Sequence, residues 1–162
     1  MALAAQTASE TVQLKRHYAV ARERVFEAWT DPQALSHWFG PHSHRCEVEH
    51  FDLREGGEYR IRMIPISDDM DCGGSPEQDS VCAGQFVQVR APEKLVMTFT
   101  WVENGGDIGE TLLSVEFHEV ANGTDVVLTH ERLPNEDMRR AHSSGWEGSL
   151  ECLQEYLAAA TL

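Results

Sequence analysis

The spacing of apolar residues changes along this chain, and each change marks an element. β-branched and aromatic residues at Thr11, Val12, Tyr18 and Val20 predict a first strand over 11–20. The period then becomes helical. Val25, Phe26 and Trp29 share one face of a short helix. Asp31-Pro32 restarts the chain, because Asp can cap free amides and proline at the first helical position needs no donor. Leu35, Trp38 and Phe39 give a second short helix its apolar face, and Gly40-Pro41 stops it.

Beyond this point the pattern predicts about six more strands, at 45–53, 58–65, 81–89, 94–102, 111–120 and 124–131. Between them lie Gly56-Gly57, an acidic loop over 67–80, Ala91-Pro92-Glu93, Asn104-Gly105-Gly106 and the hairpin signal Asn122-Gly123. Successive strands joined by short turns form an antiparallel meander. Alternation puts Tyr59, Ile61 and Met63 on one side of their strand. It does the same for Leu95, Met97, Phe99 and Trp101, for Leu113, Val115 and Phe117, and for Val126, Leu128 and His130.

A long helix closes the chain. Pro134-Asn135-Glu136-Asp137 supplies a capping Asn followed by acids at the positive end of the helix dipole. His142, Trp146, Leu150, Leu153 and Leu157 fall on one stripe. Gly145 and Gly148 each cost about 1 kcal/mol relative to Ala inside a helix, a cost that marks close packing or space left for something else. The expected fold is α+β: a curved antiparallel sheet of about seven strands around a long C-terminal helix, with two short helices after the first strand. One domain over 11–160 is expected, with a flexible N-terminus over 1–10.

Composition narrows the partners. The net charge is −14 with His neutral, which disfavours nucleic acid and anionic membrane surfaces. Neither a membrane-spanning run nor a secretion signal is legible, so a cytoplasmic location is the expectation. Cys46, Cys72, Cys82 and Cys152 fit no zinc spacing and read as free thiols, with Cys72 and Cys82 able to pair only in an exported protein. Sheet edges and short helices would suit a homodimer.

Several motifs resemble a known family. They are Arg24 to Pro32 (RVFEAWTDP), Trp38-Phe39-Gly40-Pro41, Asp52 to Gly57 (DLREGG), Ala91 to Val96 (APEKLV), Gly123-Thr124, and His142 with Gly145-Trp146 and Leu150. In this order, from about Tyr18 to Leu157, they are similar to the START-like (SRPBCC) superfamily, in the branch of the activator of the heat-shock-protein-90 ATPase. The resemblance implies a helix-grip fold with a cavity under the C-terminal helix. Members of the wider superfamily bind lipids, polyketides or other apolar molecules, some are aromatases or cyclases, and one branch activates a chaperone. The acidic loop departs from the simplest pattern.

Candidate ligand-lining residues are Trp38, Phe39, Tyr59, Met63, Phe99, Trp101, Val115, Leu128, His130, His142 and Trp146. The aromatic members could equally fill a solid core. His130 could orient a ligand carbonyl or act as acid or base, with His142 across the same space; either could instead be a core His satisfied by hydrogen bonds. His42, His44 and Cys46 alternate with a spacing open to a metal reading, but no fourth ligand can be named, so no metal is assigned. Asp69, Asp71 and Gly73 lack the remaining ligands of a calcium loop. Nucleotide-binding and nucleophile motifs are missing, so no cofactor is expected and the question of enzymatic activity stays open. The leading expectation is binding of a small apolar ligand. The alternatives are a cyclase or aromatase using a cavity His and a chaperone-activator-like interaction.

Overall fold

A computed structural model describes residues 11–40, 44–66, 79–103 and 108–160. The expected flexible stretch 1–10, His42, and the acidic-loop residues Asp69, Asp71, Cys72 and Gly73 lie outside them. Strand β1 (Val12–Tyr18) leads into helices α1 (Arg22–Thr30) and α2 (Pro32–Trp38). Strands β2 (His44–Phe51), β3 (Glu58–Pro65), β4 (Ser80–Arg90), β5 (Lys94–Glu103), β6 (Thr111–Val120) and β7 (Gly123–Glu131) follow, then helix α3 (Glu136–Ala160).

The local chemistry at the helix starts is as expected. The Asp31 carboxylate accepts from the Gln33 amide at 3.1 Å, with Pro32 in the first turn. The Asn135 side chain accepts from the Met138 amide at 2.9 Å, and Glu136 and Asp137 sit in the first turn of α3.

The strands form one curled antiparallel sheet in the order β1-β7-β6-β5-β4-β3-β2. Only one step breaks the meander: β1 returns to pair with β7, Val12 opposite His130 and Tyr18 opposite Thr124. This closes the sheet's first half over α1 and leaves β1 and β2 as the edges. Register shifts in β4, between Val81 and Cys82 and between Phe86 and Gln88, help the sheet to curl.

The inward alternation becomes the core. Tyr59, Ile61, Leu95, Met97, Phe99, Leu113, Val115, Phe117, Val126 and Leu128 are all buried. Helices α1 and α2 add Val25, Phe26, Trp29, Leu35 and Trp38, and α3 adds Trp146, Leu150, Leu153 and Leu157. Trp29 meets Trp38 edge-on at a centroid distance of 4.8 Å, and Phe26 meets Phe117 in the same way at 5.2 Å.

Polar contacts then fix α3 against this surface. The Tyr18 hydroxyl donates to the Leu150 carbonyl at 3.1 Å, tying β1 to the helix. The Gly40 amide, just past α2, donates to Ser149 Oγ at 3.1 Å. No helix among the described residues is long and apolar enough to cross a membrane.

Candidate functional site

Between α3 and the β3 and β5 strands lies a cleft of about 180 Å³. Its floor and walls come from Phe39 after α2, Met63 of β3, Phe99 and Trp101 of β5, and Ala141, His142, Gly145, Trp146 and Ser149 of α3. The helix contributes through its i, i+4 rows: Ala141, Gly145 and Ser149 in one, His142 and Trp146 in the next. Gly145 is the low point of this wall. A Cβ built there meets nothing within 4 Å.

The aromatic groups interlock around Phe99. Its ring meets Trp101, His130 and His142 edge-on at 5.3, 4.9 and 6.4 Å, and lies 6.1 Å from Trp146. Phe39 faces Trp146 edge-on at 5.7 Å. Phe39 and Phe99 also border a second, much smaller inner void of about 10 Å³ shared with Trp29, Tyr59 and Phe86, so these two rings form the partition between cleft and core.

Two imidazoles meet beneath the cleft, their centroids 5.3 Å apart and their planes nearly perpendicular. Their hydrogen bonds fix their chemical form. Trp101 Nε1 donates to His142 Nε2 at 2.9 Å. An indole nitrogen only donates, so His142 Nε2 is an acceptor and the ring proton is on Nδ1, which donates to the Met138 carbonyl at 2.7 Å. Trp146 Nε1 likewise donates to His130 Nδ1 at 3.0 Å. His130 therefore carries its proton on Nε2, which donates to Thr111 Oγ1 at 2.7 Å, and Thr111 passes its own proton to the Phe99 carbonyl at 2.6 Å. The chain of donors ends on the backbone of the strand that walls the cleft.

Both imidazoles are held neutral. Burial, with His142 opposite, pushes the His130 pKa down to about 3. Burial also lowers that of His142, opposed by its bond to the Met138 carbonyl. All four ring nitrogens are engaged. Two thiols are held protonated as well: Cys46 and Cys82 are buried, and burial raises both pKa values, Cys46 to about 12.

Of the residues singled out in the sequence, the structure brings Phe39, Met63, Phe99, Trp101, His142 and Trp146 together around the cleft. His130 lies behind Trp146 with no exposed surface. Trp38 is packed against Trp29 and Phe39, its indole donating to the Ala28 carbonyl. Val115 and Leu128 are fully buried. Tyr59 borders the inner void, and its hydroxyl donates to the Thr98 carbonyl at 2.7 Å. Period two assigns an inward side but not a depth, so inward residues on the central strands are packed below the cleft. Ala141 and Ser149 were not anticipated, although they sit at i−4 and i+4 from Gly145 and share its row. His44 and Cys46 alternate with exposed Arg45 and Glu47 on β2, and among the described residues no group of three or more His, Cys, Asp or Glu side chains is placed to hold a metal ion.

The fold recurs in solved structures. A protein from Chromobacterium violaceum superposes with a TM-score of 0.78 at 24% identity, over 90% of this chain and 95% of that one. The AHSA1 protein from Silicibacter pomeroyi gives 0.78 at 24% identity, over 93% of this chain and 99% of that one. DynU16, a protein of the dynemicin biosynthetic locus, gives 0.72 at 16% identity, over 93% of this chain but 48% of its own. No curated protein matches the chain. At these identities the structures establish the fold alone, while the family model for activator of Hsp90 ATPase homolog 1-like proteins matches residues 19–158. With nearly every element from α1 to α3 inside that match, the chain belongs to the activator of Hsp90 ATPase homolog 1-like family, a branch of the START-like (SRPBCC) helix-grip proteins.

Proposed function

We propose that the protein binds a small apolar molecule in the cleft between α3 and the sheet. The observation that carries this reading is Gly145. A glycine inside a helix costs about 1 kcal/mol relative to alanine. Close packing does not explain it here, because the space over Gly145 is open. The helix forgoes a stabilising methyl in the wall of an apolar cleft, which leaves room for a bound molecule.

Size and polarity define the ligand class. The cleft holds about 180 Å³. That is below the roughly 300 Å³ at which drug-sized pockets begin and close to the roughly 150 Å³ of an apolar cavity that takes benzene. One or two fused rings, or a short aliphatic chain, match it. The walls are aromatic and aliphatic, with His142 and Ser149 as the polar members.

The engaged imidazoles favour binding over general acid–base catalysis. A cyclase-type mechanism would need His130 or His142 to give up a partner and to titrate well above the range in which burial holds them. A chaperone-activator role is carried by family membership alone.

Calorimetric titration with indane or naphthalene should show saturable binding at one site. Gly145→Ala should raise stability by about 1 kcal/mol and weaken binding, and Gly145→Leu should abolish it while the protein stays folded. Equal affinity in wild type and Gly145→Leu would overturn the reading.

A further inference from the structure

We propose that the ligand carries a neutral hydrogen-bond acceptor, a carbonyl or ether oxygen, and that Ser149 is the residue that selects it. This rests on the binding reading above and names its ligand more narrowly.

Most donors in the cleft wall are already engaged. Trp101 Nε1–H is committed to His142, Trp146 Nε1–H to His130, and His142 Nδ1–H to the Met138 carbonyl. The hydroxyl of Ser149 is different. It accepts from the Gly40 amide at 3.1 Å, which uses a lone pair and leaves its proton. A helical serine can return that proton to the carbonyl four residues back, here Gly145. Ser149 does not make that bond, and among the described residues its hydroxyl donates to no acceptor.

Ser149 is 4% exposed, so bulk water offers little compensation. It borders the cleft one turn beyond the open space over Gly145. A buried donor beside an apolar space, with no partner among the described residues, is unfavourable until something supplies an acceptor. The Gly40 bond also fixes the hydroxyl's position, because Gly40 is held with φ +95° at the end of α2. The donor is thus in place before the ligand arrives.

The acceptor must be uncharged. Among the described residues no Lys, Arg, Asp or Glu lines the cleft, and His142 is neutral there. A carboxylate would lose its hydration with no counter-charge, inside a protein of net charge −14. Small cyclic ketones, lactones and aryl ethers fit. Plain hydrocarbons leave Ser149 unpaired, and acids are excluded.

The test uses matched probes: 1-indanone, indane and indane-1-carboxylate, titrated calorimetrically into wild type and Ser149→Ala. The ratio of indanone to indane affinity should fall roughly three- to tenfold in Ser149→Ala, the size of one hydrogen bond. Indane affinity should change less than twofold, and the carboxylate should bind at least about tenfold more weakly than indanone. Ser149→Ala also removes the acceptor of the buried Gly40 amide and lowers stability, so a second measurement needs no variant. Infrared difference spectra of indanone bound to wild type should show the carbonyl stretch shifted below its position in hexane. An unshifted band, or an unchanged affinity ratio with indane still bound, overturns the assignment of Ser149 and leaves apolar binding standing. Failure of both indane and indanone to bind overturns the binding reading and this assignment together.

Discussion

An indole can only donate and a neutral imidazole must do both, so pairing two tryptophans with two histidines leaves a single consistent arrangement of protons. Part of this was legible in the sequence. Strand alternation put His130 with Val126 and Leu128, and the helix stripe put His142 one turn before Trp146. Which residue donates to which depends on tertiary distances that no periodicity encodes. The consequence for stability is directional. An unfolded His takes a proton near pH 6.5, whereas folded His130 resists it down to about 3, and His142 is shifted in the same sense. Between those values the unfolded state holds more protons at His130, so its contribution is complete above about pH 6.5 and falls as pH falls, by up to about 1.4 kcal/mol per pH unit, and His142 adds in the same direction. His130→Gln should cost about 1–3 kcal/mol at pH 7 through the partners it strands, and should flatten the decline between pH 6.5 and 5, where most carboxylates are still ionised. Urea midpoints at four pH values measure both effects, and an unchanged slope would remove His130 as its source.

Elements are legible where local chemistry ends them. Asp31-Pro32, Asn135 and Asn122-Gly123 act through their own caps and turns, and the structure places element boundaries beside each. The irregularity inside β4 is different. Gly84 sits in a strand with no turn signal around it, and its reason lies across the sheet. The Thr98 carbonyl comes so close that a Cβ at Gly84 would collide with its oxygen. That carbonyl accepts from Tyr59 of β3, and the Thr98 hydroxyl accepts from the Gln85 amide at 2.8 Å. One small residue thus lets three strands share polar contacts where the regular ladder is interrupted. Gly84→Ala must push backbone apart and should cost roughly 2–4 kcal/mol, read as a lowered urea midpoint. A loss under 0.5 kcal/mol would mean that the β4–β5 junction yields freely.

At the scale of the whole molecule, 27 acids against 13 Lys and Arg give a strong excess of like charge. Local ion pairs such as Arg62–Glu49 at 2.6 Å and Lys15–Asp125 at 3.6 Å oppose it, but they lie at or near the surface and each is worth little. Screening should therefore help more than it harms. Raising KCl from 10 to 150 mM should increase Tm by roughly 2–4 °C, about 1 kcal/mol, and a decrease would show that the ion pairs dominate. The same charge says nothing of the fold, which is why the sequence's apolar pattern, and not its composition, foretold the sheet and helix. The two indole–imidazole pairs have a last consequence, an optical one. Trp101 and Trp146 both border the cleft, while Trp29 and Trp38 are packed away from it. A molecule bound as proposed would change the surroundings of both rings at once, and acid that charges their histidine partners places a quencher within hydrogen-bond reach of each. The protein's own fluorescence would thereby report both the proposed occupancy and the protonation of the pair.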